Sequence, residues 1–334
     1  MNMKNGKING NYIFIVLMLA ASAILMTGGI IKKISHSRSD QGKPVVIAVI
    51  PKGTIIMWWE VVHKGALKAA EEENVTITWN GPETETDREK QIQTVEDALI
   101  QKVSAVVLGP NDFKALVRSI GKIKDSGIPC VLIDSMADTE NYDSFAGTDN
   151  YSGGADAARL IGKALNGKGK ALLILFVQNS ASTDARAAGF RDTLKKEFPG
   201  ITILAEQYTM GTVDDARQKA EDLLTRFPET DAVFAVNHPT SVGTYKALQN
   251  RHAAEKVKFV CFDSDPVLLE GVEKDEVLAI IAQNPFEIGY TGVKTAVKLL
   301  KNQKVDKDIP IPSMIVQKNN LEEMKKNFPE ALGL

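Results

Sequence analysis

Cysteine is almost missing from this chain: two residues in 334, Cys130 and Cys261. They allow one bridge at most. Both sit inside apolar strand-like runs of different domains, so two buried thiols are expected rather than a disulfide. Histidine is equally scarce. Its four residues show no HxxxH spacing, and no CxxC pair accompanies them, which leaves no basis for a metal site. An excess of one charge is also lacking, with 40 Lys+Arg against 42 Asp+Glu and a net charge of −2. No basic face strong enough to hold nucleic acid follows from that balance. Aromatic residues make up only 6%, and just three are tryptophan.

The common enzyme signatures are absent: there is no GxSxG, HExxH or GxGxxG. The stretch Gly162 to Lys168 superficially resembles a phosphate loop. Gly169 stands where Ser or Thr would be needed, and the stretch ends a helix instead of following a strand. No catalytic residue and no cofactor is expected.

What is present is ordinary globular material, 44% hydrophobic and 25% charged, in a length that suits two domains. One long apolar run stands apart. Tyr12 to Ile31 is uncharged and long enough to cross a bilayer as one helix. It reads as a cleaved signal peptide, with Ala21-Ser22-Ala23 as the small-residue site, or as an uncleaved anchor. The anchor is preferred, because cleavage after Ala23 would leave ILMTGGII at the new terminus. A lipoprotein signal is excluded, since no cysteine precedes Cys130. Residues 1–31 are thus the membrane or signal segment and 32–43 a polar linker. The body is placed outside the cytoplasm, membrane-anchored, or periplasmic if the segment is cleaved.

From Pro44 onward, short apolar runs alternate with amphipathic stretches. The strand runs include Val45–Ile50, Ala105–Leu108 and Pro129–Asp134, then Lys170–Phe176, Ala232–Val236, Lys258–Phe262 and Leu278–Ala282. Between them fall helical patterns such as Trp58–Glu72, Tyr151–Leu165, Ala185–Phe198 and Ser241–Gln249. Such alternation implies parallel sheets covered by helices, and two consecutive series imply two doubly wound α/β domains. Ligands in these folds bind beyond the carboxyl ends of the strands. Polar residues recur at that place: Asp134, Asn237, Asp263 and Gln283 each end a strand run. Carboxylates accept from paired hydroxyls and amides donate to hydroxyl oxygens, a set suited to a neutral polyol. Trp58 and Trp59 begin the first helix, where a wide ring could lie against the apolar face of a sugar. Asp134 and Asp263 could also be imagined as a glycosidase pair, but nothing nearby in the sequence is expected to raise a carboxyl pKa.

The ordered stretches Trp58-Trp59 with Lys64-Gly65-Ala66, IPCVLID (128–134), GTDNYSGG (147–154), STDARAAGF (182–190), DAVFAVN (231–237), VCFDSDP (260–266) and AIIAQNPFEIGYTGV (279–293) carry a resemblance. The chain resembles the ribose/galactose-type periplasmic sugar-binding proteins, the type I periplasmic binding protein fold, over residues 44–318. By that resemblance Trp58 and Trp59 stack on the sugar and Asp134 takes hydroxyls in the first domain. Arg186 donates to sugar oxygens, and Asn237, Asp263 and Gln283 supply the second domain and hinge. Tyr208 or Met210 matches the opposing aromatic position, with Tyr208 preferred. Ile56-Met57, Gly109 and Ser135 depart from the ribose binders, in the first domain's half of the site, and point away from ribose but not from the ligand class. No calcium loop is evident.

The resemblance further implies a three-segment hinge, with crossings near Gly147–Thr148, Gln283–Asn284 and Ile309–Pro312. The first sugar-binding domain is then 44–147 plus 284–311, and the second is 148–283 plus 312–334. Sugar-responsive repressors share the fold but begin with a DNA-reading helix-turn-helix, where this chain has an apolar segment. The expected partners are a neutral sugar or polyol and the membrane permease of an ABC transporter. The alternative partner is a sensor histidine kinase or chemoreceptor.

Overall fold

The computed structural model describes residues 44–332 and 334. The Tyr12–Ile31 run lies outside the described residues. Among those described, no helix is long and apolar enough to cross a membrane.

The first half of the body builds β1 (Val46–Ile50), α1 (Met57–Glu73), β2 (Thr76–Trp79), α2 (Arg88–Ile100), β3 (Ala105–Leu108), α3 (Val117–Asp125), β4 (Cys130–Ile133) and β5 (Ser144–Thr148). The second builds α4 (Asn150–Ala164), β6 (Lys168–Leu175), α5 (Ala181–Glu197), β7 (Gly200–Tyr208), α6 (Val213–Arg226), β8 (Ala232–Ala235), α7 (His238–Asn250), β9 (Lys258–Phe262), α8 (Pro266–Glu273) and β10 (Ala279–Ala282). The chain closes with α9 (Pro285–Leu300), β11 (Asp308–Ile311), β12 (Met314–Val316), α10 (Leu321–Asn327) and a 3₁₀ turn at Glu330–Leu332.

These strands form two six-stranded sheets, ordered β11-β5-β4-β3-β1-β2 and β12-β10-β9-β8-β6-β7. Every pairing in the first is parallel. In the second only β12 runs antiparallel, against β10. Central strands such as AVVL, CVLI, AVFA and AIIA are buried along their whole length, as a sheet covered on both faces requires. Each sheet has two apolar clusters, one beneath the helices of each face. Cys130 and Cys261 are free and buried in different sheets, and burial pushes the Cys130 thiol up to about 12.

The chain leaves the first sheet after β5, returns to it after β10, and leaves again between β11 and β12. The returning helix α9 lies on α1 in the first lobe. Two glycines permit that approach. A Cβ on Gly65 would stand 2.0 Å from Phe286 O, and one on Gly289 would stand 2.0 Å from Val62 O. The second lobe repeats the arrangement between α4 and α5, where Gly154 faces Arg186 O at 1.9 Å and Gly189 faces Tyr151 O at 2.0 Å.

Candidate ligand-binding site

The carboxyl ends of both sheets face one cavity, whose empty space of about 370 Å³ takes in its open mouth. Its wall includes Trp58, Trp59, Asp134, Arg186, Asn237, Asp263 and Gln283, seven residues singled out in the sequence. Polar residues gather there because a strand's end leaves the apolar sandwich and its next residue starts a loop or helix.

In the second lobe, Asp263 is held on two sides. Its Oδ2 accepts from the His238 backbone N–H at 2.9 Å, at the start of α7. Its Oδ1 accepts from Gln283 Nε2 at 2.7 Å. Gln283 Oε1 in turn accepts from Thr148 Oγ1 at 2.8 Å, which links the carboxylate to two of the chain crossings. Arg186 is 2% exposed and held through two of its nitrogens. Its Nε donates to Asn150 Oδ1 at 2.8 Å and its Nη1 to Val236 O at 2.8 Å. Its guanidinium lies 3.8 Å above the Phe262 ring, and Nη1 is 3.9 Å from Asp263 Oδ2. Burial lowers its pKa, while the carboxylates of Asp263, Asp134 and Glu85 oppose that loss. Asn237 caps α7: its N–H donates to Thr240 Oγ1 at 3.0 Å, and the Thr240 hydroxyl donates to Asn237 Oδ1 at 2.9 Å.

In the first lobe, Trp58 and Trp59 stand edge to face, with centroids 4.7 Å apart. Trp59 is buried beside Gly109, where a Cβ would come within 3.0 Å of the indole ring. The departure at Gly109 therefore makes room for the wider ring. Asp134 pairs with Lys52 Nζ at 2.5 Å, both nearly buried. Lys52 also donates to Ser182 Oγ of the second lobe at 3.1 Å. With the Phe113 N–H donating to Asn179 O at 2.8 Å, this bond ties the lobes together at the cleft.

Tyr208 does not line this cavity. It ends the edge strand β7, away from the central strands whose ends converge, and its hydroxyl is 3.5 Å from Asp184 Oδ1. Met210 is solvent-exposed. Sequence reasoning missed Lys52, Glu85, Ser182, Thr183 and His238, all of which line the cavity. Burial raises the Glu85 carboxyl above its ordinary value, opposed by Lys52 and by the bond from Trp59.

Residues 47–304 match the family described as the periplasmic binding protein domain. The chain belongs to that family. Among curated members it is similar to the D-ribose/D-allose-binding protein of Pseudomonas aeruginosa, 27% identical across 85% of this chain and 91% of that protein. Among solved structures it is similar to a carbohydrate-transporter solute-binding protein of Agrobacterium radiobacter in complex with D-arabinose. That match has a TM-score of 0.82 and 32% identity, covering 85% of this chain and 97% of the other. An ABC-transporter solute-binding protein of Agrobacterium vitis with bound D-fucose aligns with a TM-score of 0.81 and 31% identity, covering 86% of this chain and 99% of the other. Family members of this kind are binding proteins, and so is this chain; it is not an enzyme.

Proposed function

We propose that the chain encloses one neutral monosaccharide or polyol between its lobes, outside the cytoplasm, and delivers it to the permease of an ABC transporter. The observation that carries this reading is the convergence of Asp134, Asp263, Arg186, Asn237 and Gln283 with two tryptophans in one small cavity. Fixed carboxylates, amides and a guanidinium can read hydroxyls in pairs, and the indoles offer apolar area to the ring. Three carboxylates stand in that wall against Lys52 and Arg186, a balance that disfavours a phosphorylated ligand. The relatives bound to D-arabinose and D-fucose support the same ligand class. Their description as transporter proteins favours a permease over a sensor kinase as partner.

The body from residue 43 onward, heated with a panel of pentoses, hexoses, polyols, amino acids and sugar phosphates, tests the ligand class. Binding to the folded state raises the melting temperature by mass action. A neutral sugar or polyol is expected to shift it; a shift with sugar phosphates and none with neutral sugars refutes the reading. The Tyr12–Ile31 run is proposed to stay as an anchor. The full chain then remains in salt-washed membranes, and a mature terminus at Ile24 contradicts it.

A further inference from the structure

Glu85 lies in the loop between β2 and α2, outside every stretch that carried the family resemblance. Its position is built with care. Gly53 leaves room for it, since a Cβ there would meet Glu85 N and Cγ at 3.2 Å. The Thr54 N–H donates to Glu83 O at 3.1 Å, which ties this loop to the segment after β1. Trp59 Nε1 donates to Glu85 Oε1 at 2.6 Å. That bond fixes the indole and occupies one carboxylate oxygen, while the residue itself forms part of the cavity wall. Next to it, Thr86 faces Gly211 of the second lobe, where a Cβ would stand 3.1 Å from the Thr86 methyl. The loop thus sits where the two lobes meet. Asp134 and Lys52 already satisfy much of each other's charge. A carboxylate with one oxygen on an indole keeps acceptor capacity for a hydroxyl donor.

We propose that Glu85 is a specificity-determining residue: its carboxylate holds the Trp59 indole with one oxygen and accepts a ligand hydroxyl with the other. This rests on the reading of the cavity as a sugar site. A ligand that lacks the hydroxyl facing Glu85 leaves this half-buried carboxylate without its donor and is rejected.

The test uses the full chain in detergent and whichever of D-ribose, D-arabinose, D-allose and D-fucose binds it best by calorimetry. The parent and Glu85→Gln are each titrated with that sugar and its monodeoxy analogues. Tryptophan emission and the ligand-free melting temperature show whether the variant is folded and still holds Trp59, since Gln can accept the same indole bond. The parent is expected to lose tenfold or more for one analogue in particular. Glu85→Gln is expected to weaken the parent sugar about tenfold and to narrow the loss for that analogue alone to under threefold. Glu85→Asp, which keeps the charge, should recover part of the discrimination. If parent and Glu85→Gln bind the whole series in parallel, the assignment of Glu85 is wrong and the sugar reading stands. If no sugar or polyol binds the parent, the sugar reading falls and this inference with it.

Discussion

Asp134 and Asp263 end matching strands of the two sheets in the same left-handed backbone conformation, at φ 61° and 65°. The Asp134 N–H donates to Ala146 O at 3.1 Å and the Asp263 N–H to Ile281 O at 3.0 Å, each reaching the neighbouring strand. A β-carbon in this region costs roughly 1–2 kcal/mol, and Asp and Asn are among the few residues that visit it readily. Each lobe therefore spends strain at the same place to aim one carboxylate at the shared cavity.

That relationship predicts how Asp263 responds to substitution. Asp263→Asn keeps the backbone and removes the charge that accepts from His238 N–H and Gln283. Asp263→Ala removes the acceptors and leaves the strain. Binding to the preferred sugar is expected to weaken by roughly 2–5 kcal/mol in Asp263→Ala, the range for truncating a buried charged hydrogen bond. Asp263→Asn should be weakened less and should melt higher than Asp263→Ala. Calorimetry that finds less than a threefold loss in folded Asp263→Ala contradicts the role.

The glycine contacts between helices make a second prediction. Gly65→Ala and Gly154→Ala each place a Cβ about 2 Å from a carbonyl oxygen, so the paired helices must move apart. Overpacking of this kind costs about 1–3 kcal/mol. Gly121→Ala in α3 has nothing within 4 Å of its new Cβ and serves as the control. It should gain up to about 1 kcal/mol from helix propensity. Urea midpoints measure all three; equal midpoints for Gly65→Ala and the parent would refute the packing argument.

How far the sequence was legible follows from what each residue answers to. Strands buried on both faces read as continuous apolar runs, and Ala105–Leu108 and Lys258–Phe262 needed no correction. Helices α5 and α7 start one turn before their periodic patterns, at Ala181 and His238. Their first turns carry Ser182, Thr183 and Pro239, which face the cavity rather than the core, so apolar spacing could not mark them. Lys52 and Glu85 look like surface charges in sequence, because the partners that hold Lys52 inward, Asp134 and Ser182, are far from it along the chain. The signal that could have found them is the strand-end rule applied to β1 and β2 as well as to β4, β8, β9 and β10. Tyr208 shows its limit: a strand's end gives the side of the sheet, not whether a given side chain reaches the cavity.

The raised pKa of Glu85 makes a pH prediction for the ligand-free protein. As pH climbs past the ordinary carboxylate range, near about 4.3, the unfolded chain releases this proton first while the folded chain keeps it. Folded protein then binds more protons than unfolded, so this group's contribution to stability falls as pH rises towards the folded value. Glu85→Gln lacks the effect. The melting temperature of Glu85→Gln minus that of the parent is therefore expected to grow from acid to neutral pH. A difference that stays flat or shrinks would contradict the burial of the carboxyl.

The central claim is that ligand is held by both lobes at once. Trp58, Trp59 and Asp134 stand on the first, Arg186, Asn237 and Asp263 on the second, and Thr148 with Gln283 joins them at the crossings. A ligand shifts such an equilibrium only through stronger contacts in the closed form, with the crossings absorbing the rotation. Small-angle scattering on the body from residue 43, with and without saturating sugar, tests this most directly. The radius of gyration is expected to fall on saturation in the parent, and to fall much less in Arg186→Ala at ligand levels that still occupy the first lobe. An unchanged radius in the saturated parent would contradict closure around the ligand, even if sugar binds.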